Sequence, residues 1–142
     1  MAYRVIRPGD AAWRLSNEMR TANANVGAQL GATTLGARFW RVRPGQASTR
    51  HRHVGEHELY LVLEGTGRMR VDDDLLTLPP HSVALVEPDS VRQVFNDTDA
   101  DQFWFIVGAP PEDPPLSTLS PPDVRARVYP DGPAALPPEF EG

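Results

Sequence analysis

The 142-residue sequence predicts an all-β fold, an antiparallel sandwich or barrel of short strands. Three observations carry that expectation. From Arg38 to Gly108 apolar and polar residues alternate in seven or eight short runs, each closed by turn residues. No helical heptad and no internal repeat interrupts them. Ten of the fifteen prolines fall within residues 109–142, a density that sustains neither a long helix nor a central strand.

Taken in order, residues 1–35 read as an N-terminal arm that packs on the barrel or on a partner. A weak helix is expected around Asp10–Thr21. The run Arg38-Phe-Trp-Arg-Val-Arg43 alternates and ends at Pro44-Gly45, and Thr49 to His53 alternates again. Glu58 to Glu64 precedes Gly65, and a further strand covers Thr66–Val71 before the Asp72–Asp74 turn. Leu75–Leu78 stops at Pro79-Pro80, Val83–Val86 at Glu87-Pro88-Asp89, and Val91–Phe95 at Asn96-Asp97. Phe103–Val107 is the last run. Residues 36–109 therefore form the barrel, and 110–142 a proline-rich extended tail, ordered where it lies on a surface. A barrel of this size buries a small core, so exposed edges and apolar outer faces call for cover, most simply by a second copy in a homodimer.

Composition narrows the function. The formal net charge is −5, cysteine is absent, and every basic residue other than histidine is arginine, with no lysine. Thiol nucleophiles, disulfides, Schiff-base lysines and phosphate-loop lysines are all excluded. The acidic balance and the lack of a basic run argue against a nucleic-acid partner. No apolar run approaches the roughly 18–20 residues of a membrane span, and no secretory signal opens the chain. A cytoplasmic protein without membrane or nucleic-acid partners is expected.

The chemistry lies in Gly45-Gln-Ala-Ser-Thr-Arg-His51-Arg-His53-Val-Gly-Glu-His-Glu58. Period two puts His51 and His53 on one side of a strand, with Arg50 and Arg52 on the other. After a Val-Gly turn, Glu58 opens the next run and can bring a carboxylate beside both imidazoles. Two imidazoles and one carboxylate suit one divalent transition-metal ion: iron, manganese, nickel, copper or zinc. Parity further groups Glu58, Tyr60 and Val62, then Arg38, Trp40 and Val42, then Arg92, Val94 and Asn96, and then Phe103, Phe105 and Val107. The expected ligand pocket comprises Trp40, Tyr60, Arg92, Phe103 and Phe105, an apolar and aromatic lining that suits a small organic anion.

The stretch Gly45…His51-x-His53…Glu58…Gly65 resembles the first motif of the cupin superfamily at every fixed position. The resemblance implies a small single-domain cupin whose fold is a double-stranded β-helix, a jelly-roll barrel with the metal in its lumen. It covers Gly36 to Gly108. The second motif departs from the family pattern. Counting back from Asn96 puts Arg92 where the fourth ligand, a histidine, belongs, with His81 at the opening glycine; counting from Pro88 puts Gln93 there instead.

Guanidinium has no lone pair for a metal. Three arrangements follow. His51, His53 and Glu58 hold the metal alone while Arg92 clamps an anionic ligand; or Arg92 pairs with Glu58 in a metal-free cup; or His57 substitutes as a ligand. Two function classes stay open. One is a metal-dependent oxygenase- or isomerase-type enzyme, with Arg92 orienting the substrate and Tyr60 donating a proton. The other is a non-catalytic module that binds or senses a small molecule.

Overall fold

Alternation along the chain becomes antiparallel pairing in the computed structural model, which describes residues 2–140. The ends of the expected arm and tail, residues 1 and 141–142, lie outside the described residues. The elements, in chain order, are β1 (Arg14–Ser16), β2 (Thr21–Ala24), α1 (Val26–Gln29), β3 (Gly36–Val42), β4 (His57–Glu64), β5 (Gly67–Val71), β6 (Asp74–Leu78), β7 (Val83–Val86), β8 (Arg92–Phe95), β9 (Gln102–Ala109) and α2 (Pro122–Val128). They build a six-stranded sheet of order β1-β2-β3-β9-β4-β7 and a three-stranded sheet of order β6-β5-β8. This is the double-stranded β-helix the sequence predicts. Among the described residues no helix is long and apolar enough to cross a membrane.

Two elements differ from expectation. The helix expected at Asp10–Thr21 is instead a hairpin of β1 and β2, turned by Asn17 and Arg20 in left-handed backbone conformations (φ 61° and 57°). Ladder bonds from β2 to the edge of β3 outweigh a helical tendency that had no clear apolar stripe behind it. The tail also carries a short helix, α2. Pro121 and Pro122 begin it, where the missing N–H costs nothing, and Arg125 and Arg127 sit near its C-terminal, negative end. The tail is held along the barrel: Gln93 donates to the Ala135 carbonyl, Arg70 pairs with Glu139, and Phe140 packs edge-on against Phe95.

The registers around β9 decide which side chains face inward. Gly36, Gly108, Glu58 and Val86 share one row across the larger sheet, and Arg38, Ile106, Tyr60 and Ala84 share the next. A third runs Arg14, Asn23, Trp40, Trp104 and Val62. The concave side of these rows meets the smaller sheet in a core of Val42, Tyr60, Val62, Met69, Val86, Val94, Trp104 and Ile106. Trp104 is fully buried, and its indole N–H donates to Gln102 Oε1 at 2.9 Å, so its one polar atom is satisfied.

Phe103 and Phe105 are on the other face. The run Phe103-Trp-Phe-Ile-Val107 is apolar at every position, so alternation gives it no phase, and the expected inward assignment was one residue out of step. Phe39 lies opposite Phe105 in the ladder, and the rings of Trp13, Phe39, Phe103 and Phe105 stack on the outer surface at centroid distances of 4.9–6.4 Å. Neither Phe103 nor Phe105 lines the cavity described below.

Several motif positions have structural causes. His81 adopts a positive φ of 73°, the conformation a glycine at the opening of the second motif would take without strain. Asn96 is fully buried and donates to the carbonyls of Val42 and Ala100 while accepting from the Thr98 N–H, closing the turn between β8 and β9. Gly65 has φ +77°, and a Cβ there would collide with the Asp101 carbonyl. Gly65→Ala is therefore expected to destabilise the fold by about 1–3 kcal/mol, the range for forced overpacking, read as a lowered midpoint in urea denaturation. An unchanged midpoint would mean that the β4–β5 turn relaxes freely.

Candidate functional site

His51 and His53 lie on the segment between β3 and β4, which runs antiparallel to β8 through scattered bonds rather than as the regular strand expected at Thr49–His53. His51 and Arg92 exchange both backbone bonds, at 3.0 and 2.8 Å, and the His53 N–H donates to the Pro88 carbonyl at 2.9 Å. Glu58 follows at the start of β4. The three side chains converge: His51 Nε2 is 3.2 Å from His53 Nε2 and 3.5 Å from Glu58 Oε1, while His53 Nε2 is 3.1 Å from the same oxygen.

The outer nitrogens of both rings face oxygen acceptors. His51 Nδ1 is 2.8 Å from the Thr49 carbonyl, an acceptor, so that nitrogen carries the proton. His53 Nδ1 faces Glu56 Oε2 at 3.3 Å and Glu112 Oε1 at 3.5 Å. With His51 Nδ1 protonated, its Nε2 lone pair faces His53 Nε2 and the Glu58 oxygen, an arrangement that a cation or a shared proton between them satisfies. Donor atoms about 2.0–2.2 Å from one transition-metal ion lie roughly 3–3.6 Å apart, so the observed separations fit. The residues present therefore suit one divalent ion held by His51, His53 and Glu58.

The electrostatics follow from the same crowding. Burial pushes the Glu58 carboxyl up, but hydrogen bonds and positive charge from His51 and His53 outweigh it and hold the group well below its usual range. Burial works against the His53 cation, yet Glu58 and Glu56 raise its pKa overall. Burial raises Glu56, which packs over Gly108; a Cβ there would meet Glu56 Cδ at 2.7 Å. Gly36 and Gly108, adjacent in register, thus leave the space that Glu56 fills.

Tyr60 and Arg92 stand differently from expectation. The Tyr60 hydroxyl lines the cavity but donates to Glu58 Oε1 at 2.9 Å; burial and the Glu58 charge push its pKa well above the usual value. Its proton is engaged by the Glu58 carboxylate. Arg92 is 1% exposed and is not part of the cavity wall. The carbonyls of Val86, Glu87 and Pro88 accept from its two terminal nitrogens, and its Nε lies 3.6 Å from Glu58 Oε1. Its Cα partner is His51, which puts the guanidinium beneath the triad, so it does not reach a ligand in the lumen. His57, with the opposite parity to Glu58, is exposed and stays outside the triad.

The triad opens into a cavity of about 370 Å³. Trp40, Tyr60 and Ile106 form part of its wall, as expected of the first two. Arg14, Ser16 and Arg38 line it from the N-terminal side, and Leu116, Val128 and Tyr129 from the tail. Glu56 was not singled out from the sequence, although it shares the parity of Glu58. Glu112 gave no local signal: it sits in the proline-rich tail, where Oε1 accepts from the N–H groups of Val54, Gly55 and Glu56 at 2.7–3.0 Å. Those three bonds outweigh burial and lower its pKa.

A cupin domain family model matches residues 38–108, half of the chain. No curated protein matches it. Among solved structures, a sugar phosphate isomerase of the cupin superfamily from Silicibacter pomeroyi is 22% identical, with 75% of each chain covered and a TM-score of 0.66. A predicted oxalate decarboxylase from Thermotoga maritima is 18% identical, covering 75% of this chain and 98% of that one at a TM-score of 0.66. A cupin 2 conserved barrel domain protein from Salinispora arenicola is 24% identical, covering 77% and 90% at 0.61. At these identities the likeness is one of fold. With the double-stranded β-helix, the intact first motif and the family match together, the chain belongs to the cupin family.

Proposed function

We propose that this protein is a metal-dependent cupin that binds a small organic anion in the barrel cavity, with His51, His53 and Glu58 holding one divalent transition-metal ion. The observation that carries this reading is the convergence of His51 Nε2, His53 Nε2 and Glu58 Oε1 within 3.1–3.5 Å of one another, with His51 Nδ1 bonded to the Thr49 carbonyl and His53 Nδ1 turned toward Glu56. A bound ion would supply Lewis acidity toward an oxygen of the ligand or toward dioxygen, the chemistry of an isomerase- or oxygenase-type enzyme. The chain's own residues orient the two imidazoles and the carboxylate, and Trp40 and Ile106 exclude water from the apolar side of the cavity. The names of the two enzyme neighbours, for a sugar phosphate and for oxalate, both denote anionic substrates.

A second reading is favoured by one specific contact, the Arg92 Nε beside Glu58. A guanidinium in the place of a fourth ligand supplies Glu58 with a permanent positive neighbour and supports a metal-free cup that binds or senses a ligand without catalysis.

Elemental analysis of untagged protein purified without chelator distinguishes the two. The first reading expects close to one metal ion per chain, falling to background in His51→Ala and in Glu58→Ala. Glu56→Gln is expected to weaken metal affinity roughly 10–100-fold, the usual effect of removing a partner that orients a ligand histidine. Protein that stays empty after incubation with iron, manganese, nickel, copper and zinc would establish the metal-free cup.

We also propose a homodimer. The outer rows Val107-Leu59-Leu85 and Phe105-Leu61-Val83 make a continuous apolar surface in which Leu59, Leu85 and Val83 are exposed. A two-fold interface uses the same patch on both copies, and a patch of this kind seldom stays bare. Sedimentation is expected to give twice the 15.7 kDa chain mass, and Leu85→Glu to give the monomer. A monomeric unmodified chain would overturn the assignment.

A further inference from the structure

We propose that Arg38 and Arg14 form the receptor for the anionic group of the ligand, at the side of the cavity that the N-terminal hairpin builds. The inference rests on reading the cavity as a ligand site, but not on the presence of a metal. Register brings the two arginines together. Arg14 lies opposite Asn23 and Asn23 opposite Trp40, while Arg38 is two residues from Trp40 on the same strand. All four side chains therefore belong to the concave face of the sheet, and both arginines line the cavity.

Among the described residues neither Arg14 nor Arg38 has a carboxylate within ion-pair distance, whereas Arg41, Arg50, Arg68, Arg70 and Arg127 each have one. Arg38 is nonetheless held in place. Its Nη1 donates at 2.6 Å to Oδ1 of Asn23, which is fully buried and donates in turn to Ser16 Oγ at 2.7 Å. That anchoring is neutral, so it fixes the guanidinium without compensating it. Burial and the nearby Arg14 cation disfavour the charged form of Arg38, and the Glu58 and Glu56 carboxylates across the cavity offset them only in part. Arginine does not surrender its proton in proteins, so an anion between the two guanidinium groups relieves both the desolvation and the like-charge repulsion.

The same rows set the length of the ligand. Arg38 and Tyr60 flank Ile106 in one row, two strand spacings or about 10 Å apart at the backbone, and Tyr60 touches Glu58. A molecule with its anionic end at Arg38 and an oxygen at the triad is a few non-hydrogen atoms long. Its class is a small organic acid or phosphate ester.

Calorimetric titration with malonate and with inorganic phosphate, at low ionic strength, tests the proposal on metal-stripped and on zinc-loaded protein. Saturable binding of at least one probe is expected, weakened tenfold or more by Arg38→Gln and at least threefold by Arg14→Gln, whereas Arg125→Gln on α2 leaves it unchanged. A preference for malonate identifies a carboxylate ligand, and a preference for phosphate a phosphate ester. Arg14 is exposed, so its variant keeps the test intact if Arg38→Gln fails to fold. The inference is overturned if neither probe saturates, or if Arg14→Gln and a folded Arg38→Gln bind as the unmodified chain does. Metal content of the same samples separates the two readings: protein that takes up metal but no anion defeats the anion receptor and leaves the metal site standing.

Discussion

Strand β9 is paired along its length with both β3 and β4, and the two registers it fixes set the composition of the cavity. Gly36 and Gly108 fall in the row of Glu58, which leaves room for the second carboxylate, Glu56, beside His53. One row further, Ile106 separates Arg38 from Tyr60. A shift of one residue in either pairing would turn Trp104 and Ile106 outward and bring the Phe103 and Phe105 rings into the space of the ligand. The fully buried Trp104, packed against Val62 and Tyr60, opposes such a shift, because turning it outward would empty the core.

The parts of the site that sequence makes legible are those whose members are close along the chain. His51, His53 and Glu58 span eight residues, and parity within one strand and one turn is enough to bring them together. Gly65 and Asn96 were legible through the motif resemblance, and the structure gives the reason: a left-handed turn and a buried amide each impose a residue type at a single position. The strands themselves were legible wherever one face is polar. The phase of β9 was not, because both of its faces are apolar, and what chooses between them is the partner row on β3.

Long-range contributions were the other gap. Arg14 enters the cavity because two residues of hairpin register carry it there, and Glu112 because the tail folds back across the mouth of the His53 loop. Arg92 was placed at the right position and given the wrong task. Spacing put it at the position of the fourth ligand, but only the carbonyls of residues 86–88 reveal that its terminal nitrogens are consumed beneath the triad. An arginine counted as a ligand-binding group from spacing is thus a structural cation, and the free guanidinium groups come from outside the recognised motif.

Glu112 ties these strands of the structure to one another. Its carboxylate gathers three consecutive amides of the loop that leads from His53 to Glu58, although it lies beyond the last barrel strand and outside the family match. The border after β9 therefore does not separate the barrel from everything that holds its metal-site loop. A recombination joint or fusion junction placed downstream of Glu112 leaves this clasp in the same polypeptide as the histidines it steadies. A joint placed upstream, at the seemingly natural border after β9, would graft a foreign tail onto a loop that has lost its clasp. The chain's shortest exchangeable unit is the barrel together with the first residues of the proline-rich segment.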